Sequence, residues 1–200
     1  MKKTMLLGAL ILSAMTAFGQ ESRQDVSVSG TGVFGPQVTG NAVHLTPTST
    51  LGLLASYRYM LTPRSALELN YGFAQNSDKY VTSFIPNGRI HARQQELSAA
   101  YVYNLSFKRF NPFLEAGVGA MIFTPIKDYL TNNLDAKQNT NIGALFGGGV
   151  AYEISPSFDI RAEYRGFLVK APDFSTPNSD FKTNRYEVIS TPAIGVAYHF

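Results

Sequence analysis

No cysteine occurs in the 200 residues. That absence excludes disulfides, thiol catalysis and attachment of lipid to a signal-peptide cysteine. Long apolar runs are scarce as well. The one present, Met5 to Met15 (MLLGALILSAM), falls well short of the roughly 20 residues that span a bilayer. Beyond it nothing is apolar for long enough to form a membrane helix, so a helical membrane protein is excluded. Also lacking are a phosphate-binding Gly-rich loop, a Gly-x-Ser-x-Gly elbow and a His-Glu-x-x-His motif. Gly147-Gly148-Gly149 lies within a strand pattern, where close packing explains it better than a phosphate cradle. His44, His91 and His199 stand at no metal-ligand spacing. None lies mid-strand beside a serine on the same face, as a barrel hydrolase or acyltransferase would need. No enzyme activity, cofactor or metal is expected.

What is present begins with a leader. Met1-Lys2-Lys3 is basic, Met5 to Met15 is an apolar core, and Ala17-Phe18-Gly19 places small residues where a signal peptidase looks. Residues 1–19 are read as a cleaved signal peptide and 20–200 as one exported domain. Lys plus Arg total 17, and Lys2 and Lys3 leave with the leader, so 15 stand against 14 acidic residues. The pI of about 9.1 therefore owes much to the leader and is no argument for nucleic acid.

The rest alternates. Eight segments place large apolar residues at every second position: near 25–34, 49–61, 64–75, 93–107, 112–123, 141–154, 157–169 and 186–200. A period of two means strands with unlike faces. In the third segment Leu67, Leu69, Tyr71 and Phe73 oppose Glu68, Asn70 and Gly72. In the seventh Phe158, Ile160, Ala162 and Tyr164 oppose Arg161, Glu163 and Arg165. The connections alternate too. Tight turns at Thr62-Pro63-Arg64, Lys108 to Asn111 and Ser155-Pro156-Ser157 take turns with long links at about 35–48, 76–92, 124–140 and 170–185. An even number of strands, with both ends on the short-turn side, fits an eight-stranded antiparallel up-and-down transmembrane β-barrel, an all-β fold.

A soluble barrel carrying a small apolar ligand would alternate as well, but with its apolar face inside. Two features favour the inverted arrangement. Tyr57, Tyr59, Phe107, Phe158, Tyr198 and Phe200 gather near the short turns like an interfacial girdle. On the polar face, centring the hairpins on Pro63 and Pro156 sets Arg58 opposite Glu68, Gly149 opposite Glu163 and Gly147 opposite Arg165. Such volume matching suits a lumen with room only for side chains. Pro192 fits poorly, because it falls where a closed barrel needs an N–H, so a bulge or a strand starting near 193 is expected.

Taken together, the chain resembles the small outer-membrane barrel family that includes the OmpA transmembrane domain and the OmpX-like and Opa-like proteins. Pro112-Phe113-Leu114-Glu115-Ala116-Gly117-Val118-Gly119 and Arg161-Ala162-Glu163-Tyr164-Arg165-Gly166-Phe167 are similar to segments common there. The terminal pattern Ile194, Val196, Tyr198, Phe200 resembles the sorting signal read by the barrel-assembly machinery. The resemblance implies export through the periplasm, insertion by that machinery and a place in outer-membrane lipid. The chain departs from full-length OmpA in stopping at Phe200, without a peptidoglycan-binding domain, so a wall-tethering role is not carried over.

The inward charges Arg58, Glu68, Glu96, Glu115, Arg161, Glu163 and Arg165 read first as a salt-bridge network filling the lumen. A gate in a narrow, porin-like ion channel is the other reading. The resemblance implies that Glu68 and Glu115 could exchange arginine partners. Recognition falls to the long loops, because loops on a rigid scaffold carry it. Lys79, Tyr80, Phe84 and Arg89, with Asp173, Phe174, Asp180 and Phe181, suit contact with an extracellular partner of unknown identity. The expected function is a non-enzymatic outer-membrane barrel with a structural or adhesion role at the cell surface.

Overall fold

The computed structural model describes residues 23–83, 87–105, 107–132, 136–174 and 182–200. The leader, together with Phe84, Asp180 and Phe181, lies outside the described residues. The strands are β1 (Gln24–Val33), β2 (Val38–Gly40), β3 (Val43–Pro47), β4 (Thr50–Thr62), β5 (Ser65–Val81), β6 (Gly88–Asn104), β7 (Phe110–Pro125), β8 (Asn139–Ser155), β9 (Phe158–Lys170) and β10 (Tyr186–His199). Eight of them close a ring, every neighbour antiparallel, running β1-β4-β5-β6-β7-β8-β9-β10 and back to β1. Closure leaves the ring no free edge.

The wall is apolar outside and charged inside. Leu51, Ile142 and Ile194 are 84%, 80% and 64% exposed, whereas Arg165 and Glu68 are each 1% exposed. In water so broad an apolar surface would aggregate; facing lipid, it is the surface a membrane barrel needs. An apolar-lined carrier is the opposite design. Around the short turns Tyr57, Tyr59, Phe107 and Phe158 remain exposed, and Tyr198 packs against Phe158 and Phe200 at centroid distances of 5.1 and 6.1 Å.

The registers match those read from the two prolines. Arg58 pairs with Glu68, Gly147 with Arg165 and Gly149 with Glu163. In both hairpins a one-residue shift beside the turn, at Met60/Thr62 and at Glu153/Ser155, lets a two-residue turn support that register.

Three expectations are corrected. The link 76–92 is mostly strand, because β5 and β6 stay paired from Asn76–Ala92 up to Tyr80–Gly88. The first long link carries its own hairpin, β2–β3, and β3 pairs with this extension of β5. β10 does not start near 193 and has no bulge there. Pro192 keeps its place opposite Tyr164 of β9, while the β1 ladder lapses after Thr31–Ala193 and resumes at Phe34–Ser190 in the same register. Only the contact toward β1 loses its donor, and the Thr31 hydroxyl donates to the Pro192 carbonyl at 3.0 Å.

Candidate functional site

Inward parity on six strands brings the lumen charges together. Glu68 (β5) accepts from Arg58 (β4) Nε at 2.6 Å and lies 3.6 Å from Arg161 (β9). Arg161 Nη2 also donates to Asp25 (β1) at 2.9 Å. One turn of the ladder higher, Arg165 (β9) bridges Glu96 (β6) at 2.7 Å and Glu115 (β7) at 3.3 Å. Ser98 donates to the same Glu96 oxygen at 2.7 Å. Phe113 packs beneath the first layer, with the Arg58 and Arg161 guanidinium carbons 4.7 and 5.8 Å from its ring centroid.

Glycine provides the room. A Cβ on Gly147 would stand 2.6 Å from Glu115 Oε1 and from the Tyr164 carbonyl oxygen, closer than real contacts allow. The long Arg165 side chain crosses the barrel over the space that this glycine leaves.

Of the seven charges singled out by parity, six join this network. Glu163 is buried on the same face, but it makes no ion pair within 4 Å among the described residues. Asp25 joins the network and Asp159 forms a separate pair, and sequence reasoning missed both although they lie on the polar parity of their segments. Asp159 holds His199 at 2.9 Å at the short-turn end, giving the last strand a side-chain tie to β9.

The long-loop half of the lumen is built around an apolar cluster, with Asn76, Asp78, Gln94 and Glu187 buried beside it, which corrects the expectation of a polar interior throughout. Val33, Leu45, Met121, Phe123, Phe167 and Ile189 form one buried cluster with Tyr80 and Phe174. Both latter rings are fully buried rather than exposed for recognition. Phe174 meets Tyr80 and Phe123 edge-on at 6.2 and 6.5 Å, and the Tyr80 hydroxyl donates to the Pro172 carbonyl at 2.9 Å. The described start of the link after β9, Ala171 to Phe174, thus folds inward as a cap. Lys79 stays exposed, whereas Arg89 and Asp173 are half-buried. The other histidines have local partners: His44 bonds Thr39 at 2.9 Å and His91 bonds Asp128 at 2.7 Å.

Comparison with known proteins agrees with this architecture. The model of the family described as outer membrane protein beta-barrel domain matches residues 4–200. Among solved structures, the chain is similar to Neisserial surface protein A, at 15% identity and TM-score 0.58, covering 90% of this chain and 98% of that one. It is similar to outer membrane protein OprG from Pseudomonas aeruginosa at 14% identity and TM-score 0.63, covering 91% and 98%. Outer membrane protein AlkL, determined in lipid bilayers, matches at 15% identity and TM-score 0.59, covering 92% and 93%. Identities this low show a common fold. Among curated proteins none matches in sequence.

Proposed function

Since the chain belongs to the outer-membrane β-barrel family, and so sits in the outer membrane with its apolar wall against lipid, we propose that it is a non-enzymatic, non-conducting surface scaffold. The observation that carries this reading is the doubly blocked lumen. Arg161 and Arg165 are each held between two carboxylates and Arg58 against one, on four other strands in all, and the cluster around Tyr80, Phe123 and Phe174 fills much of the opposite half. A guanidinium buried between two carboxylates is held by several charge-assisted hydrogen bonds. Freeing it strands like charges in a medium that solvates them poorly. The polar layer therefore acts as a bolt, and the apolar cap leaves no wetted path above it.

On this reading residues 1–19 direct export and are removed. The terminal pattern ending at Phe200 engages the barrel-assembly machinery, and the long links face outward. Surface contacts come from what the cap leaves exposed, such as Lys79 and Tyr129. Planar-bilayer recording tests the proposal. The purified barrel is expected to show no discrete conductance steps, and Arg165→Ala alone to stay closed, because the apolar cap still fills the other half. Steps in the wild type that Arg165→Ala leaves unchanged would refute the scaffold reading and place any conducting path away from this network.

A further inference from the structure

Above the apolar wall, at the mouth on the long-loop side, two acids face each other without a cation. Asp78 on the extended part of β5 and Glu187 at the start of β10 are 2% and 4% exposed. Both line one small cavity with Asn76, Gln94, Gly35, Pro47 and Pro172, against Val33, Phe123 and Ile189 of the apolar cluster. Gly35, Pro47 and Pro172 belong to the long-loop side, and the outer face of β5 at this level carries Gln75, Ser77 and Lys79. The cavity therefore lies toward the long-loop rim of the barrel.

Among the described residues neither carboxylate joins an ion pair, and Asp78 Oδ2 and Glu187 Oε2 have no hydrogen-bond partner. Asn76 is the independent sign of a ligand. Its side chain is buried, 7% exposed, and its amide nitrogen leans on Asp78 Oδ1 at 3.4 Å. Its Oδ1, in the wall of the same cavity, is unpartnered. Three oxygen acceptors thus line the cavity without a hydrogen-bond donor, since the other amide there, Gln94, turns its nitrogen to Met121 Sδ at 3.5 Å. Buried acceptors without donors are costly. A set made of two carboxylates and an amide carbonyl is that of a hard, oxygen-seeking cation. Gly35 keeps one side closed, because a Cβ there would meet Pro47 Cγ at 2.8 Å and Glu187 Oε2 at 3.9 Å.

We infer that the barrel mouth binds a hard divalent cation, calcium by preference, through the side-chain oxygens of Asp78, Glu187 and Asn76, with both carboxylates free to chelate it because the cavity has room for the ion but not for a hydration shell. The preference for calcium follows from the partial, irregular protein shell, which suits its flexible coordination better than the octahedron magnesium demands. The bound ion would tie β5 to β10 across the mouth, under the cap formed by Pro172 and Phe174.

Protonation is the competing way to relieve the site. Burial pushes the Asp78 carboxyl up to about 7. Burial and then the Asp78 charge push Glu187 up to about 8. Tyr80 and Asp173 are the other ionisable groups near enough to matter, and both acids raise the Tyr80 phenol further. Since the acids must lose protons to take the metal, affinity is expected to fall as pH drops from about 8 to about 6.

The test is calorimetric titration of the purified, folded full chain in detergent with calcium chloride. One site per chain is expected, with Kd between about 10⁻⁴ and 10⁻³ M, as in extracellular calcium modules. Asp78→Asn and Glu187→Gln, nearly isosteric and checked for folding by heat-modifiable gel migration, are each expected to weaken it at least about tenfold. Absence of uptake by the wild type up to about 10 mM calcium overturns the site without reference to any variant. Uptake that both variants leave unchanged overturns it equally. Neither result depends on whether the lumen conducts.

Discussion

Replacing Arg165 with methionine removes one charge from the middle of the barrel and keeps much of the side-chain volume. In the native lumen Arg165 is 1% exposed and faces Glu96 at 2.7 Å and Glu115 at 3.3 Å. Its loss leaves both carboxylates without that partner and Ser98 as the nearest donor to Glu96. Breaking one side of a buried pair typically costs about 3–5 kcal/mol, most of it the penalty of the stranded charge. The upper part of that range is expected here because two acids are stranded together. With a urea slope of about 2–3 kcal/mol/M, the unfolding midpoint in lipid vesicles should fall by roughly 1–2 M. The matched control is Glu163→Gln, a buried acid of the same layer that makes no ion pair among the described residues. Removing an unpaired buried charge relieves a penalty, so that midpoint should hold or rise. Tyrosine fluorescence and gel migration of unheated samples follow both transitions. Equal losses from the two substitutions would refute the reasoning, since the effect would then come from packing and not from pairing.

Two further outcomes separate the roles of neighbouring residues. Gly147→Leu drives a side chain into Glu115 and the Tyr164 backbone, and overpacking of this kind costs about 1–3 kcal/mol; refolding yield measured by heat-modifiability should drop, and an unaltered yield would mean that Arg165 does not need the space. Deleting Phe200 should leave the urea midpoint of the refolded barrel nearly unchanged, because its ring is a rim contact to Tyr198, yet lower the amount inserted in the outer membrane of cells; normal surface levels would sink the assembly role.

The parts legible in the sequence are those where lipid and lumen impose different chemistry on alternate residues. Leu67, Leu69, Tyr71 and Phe73 against Glu68 and Asn70 identify a strand and its faces, and Pro63 sets its register with β4. Past Phe73 the signal fades for a physical reason. From Gln75 to Lys79 the outer face meets water, so polar residues occupy both sides and the continuing strand resembles a loop. The β2–β3 hairpin keeps its alternation, but strands of three and five residues are too short for a period of two to stand out. Tyr80 and Phe174 looked like display residues because nothing local reveals that a link folds into the barrel mouth. Asp25 and Asp159 are readable by parity alone, but each sits at the start of its strand, where a short polar side chain is equally ordinary as part of a turn. Pro192 shows the reverse, since only the ladder direction shows that its missing N–H faces β1.

The most direct test of an outer-membrane barrel with its long links outside uses the absence of native cysteine. Tyr129 lies on the link after β7 and is 94% exposed, and Arg109 lies at the short turn before β7 and is exposed. Tyr129→Cys and Arg109→Cys, each a single thiol, are treated with a membrane-impermeant maleimide on intact cells. Labelling of Tyr129→Cys at once, and of Arg109→Cys only after the outer membrane is permeabilised, is the expected result. Labelling of Arg109→Cys on intact cells with Tyr129→Cys protected would invert the barrel and contradict the scaffold reading.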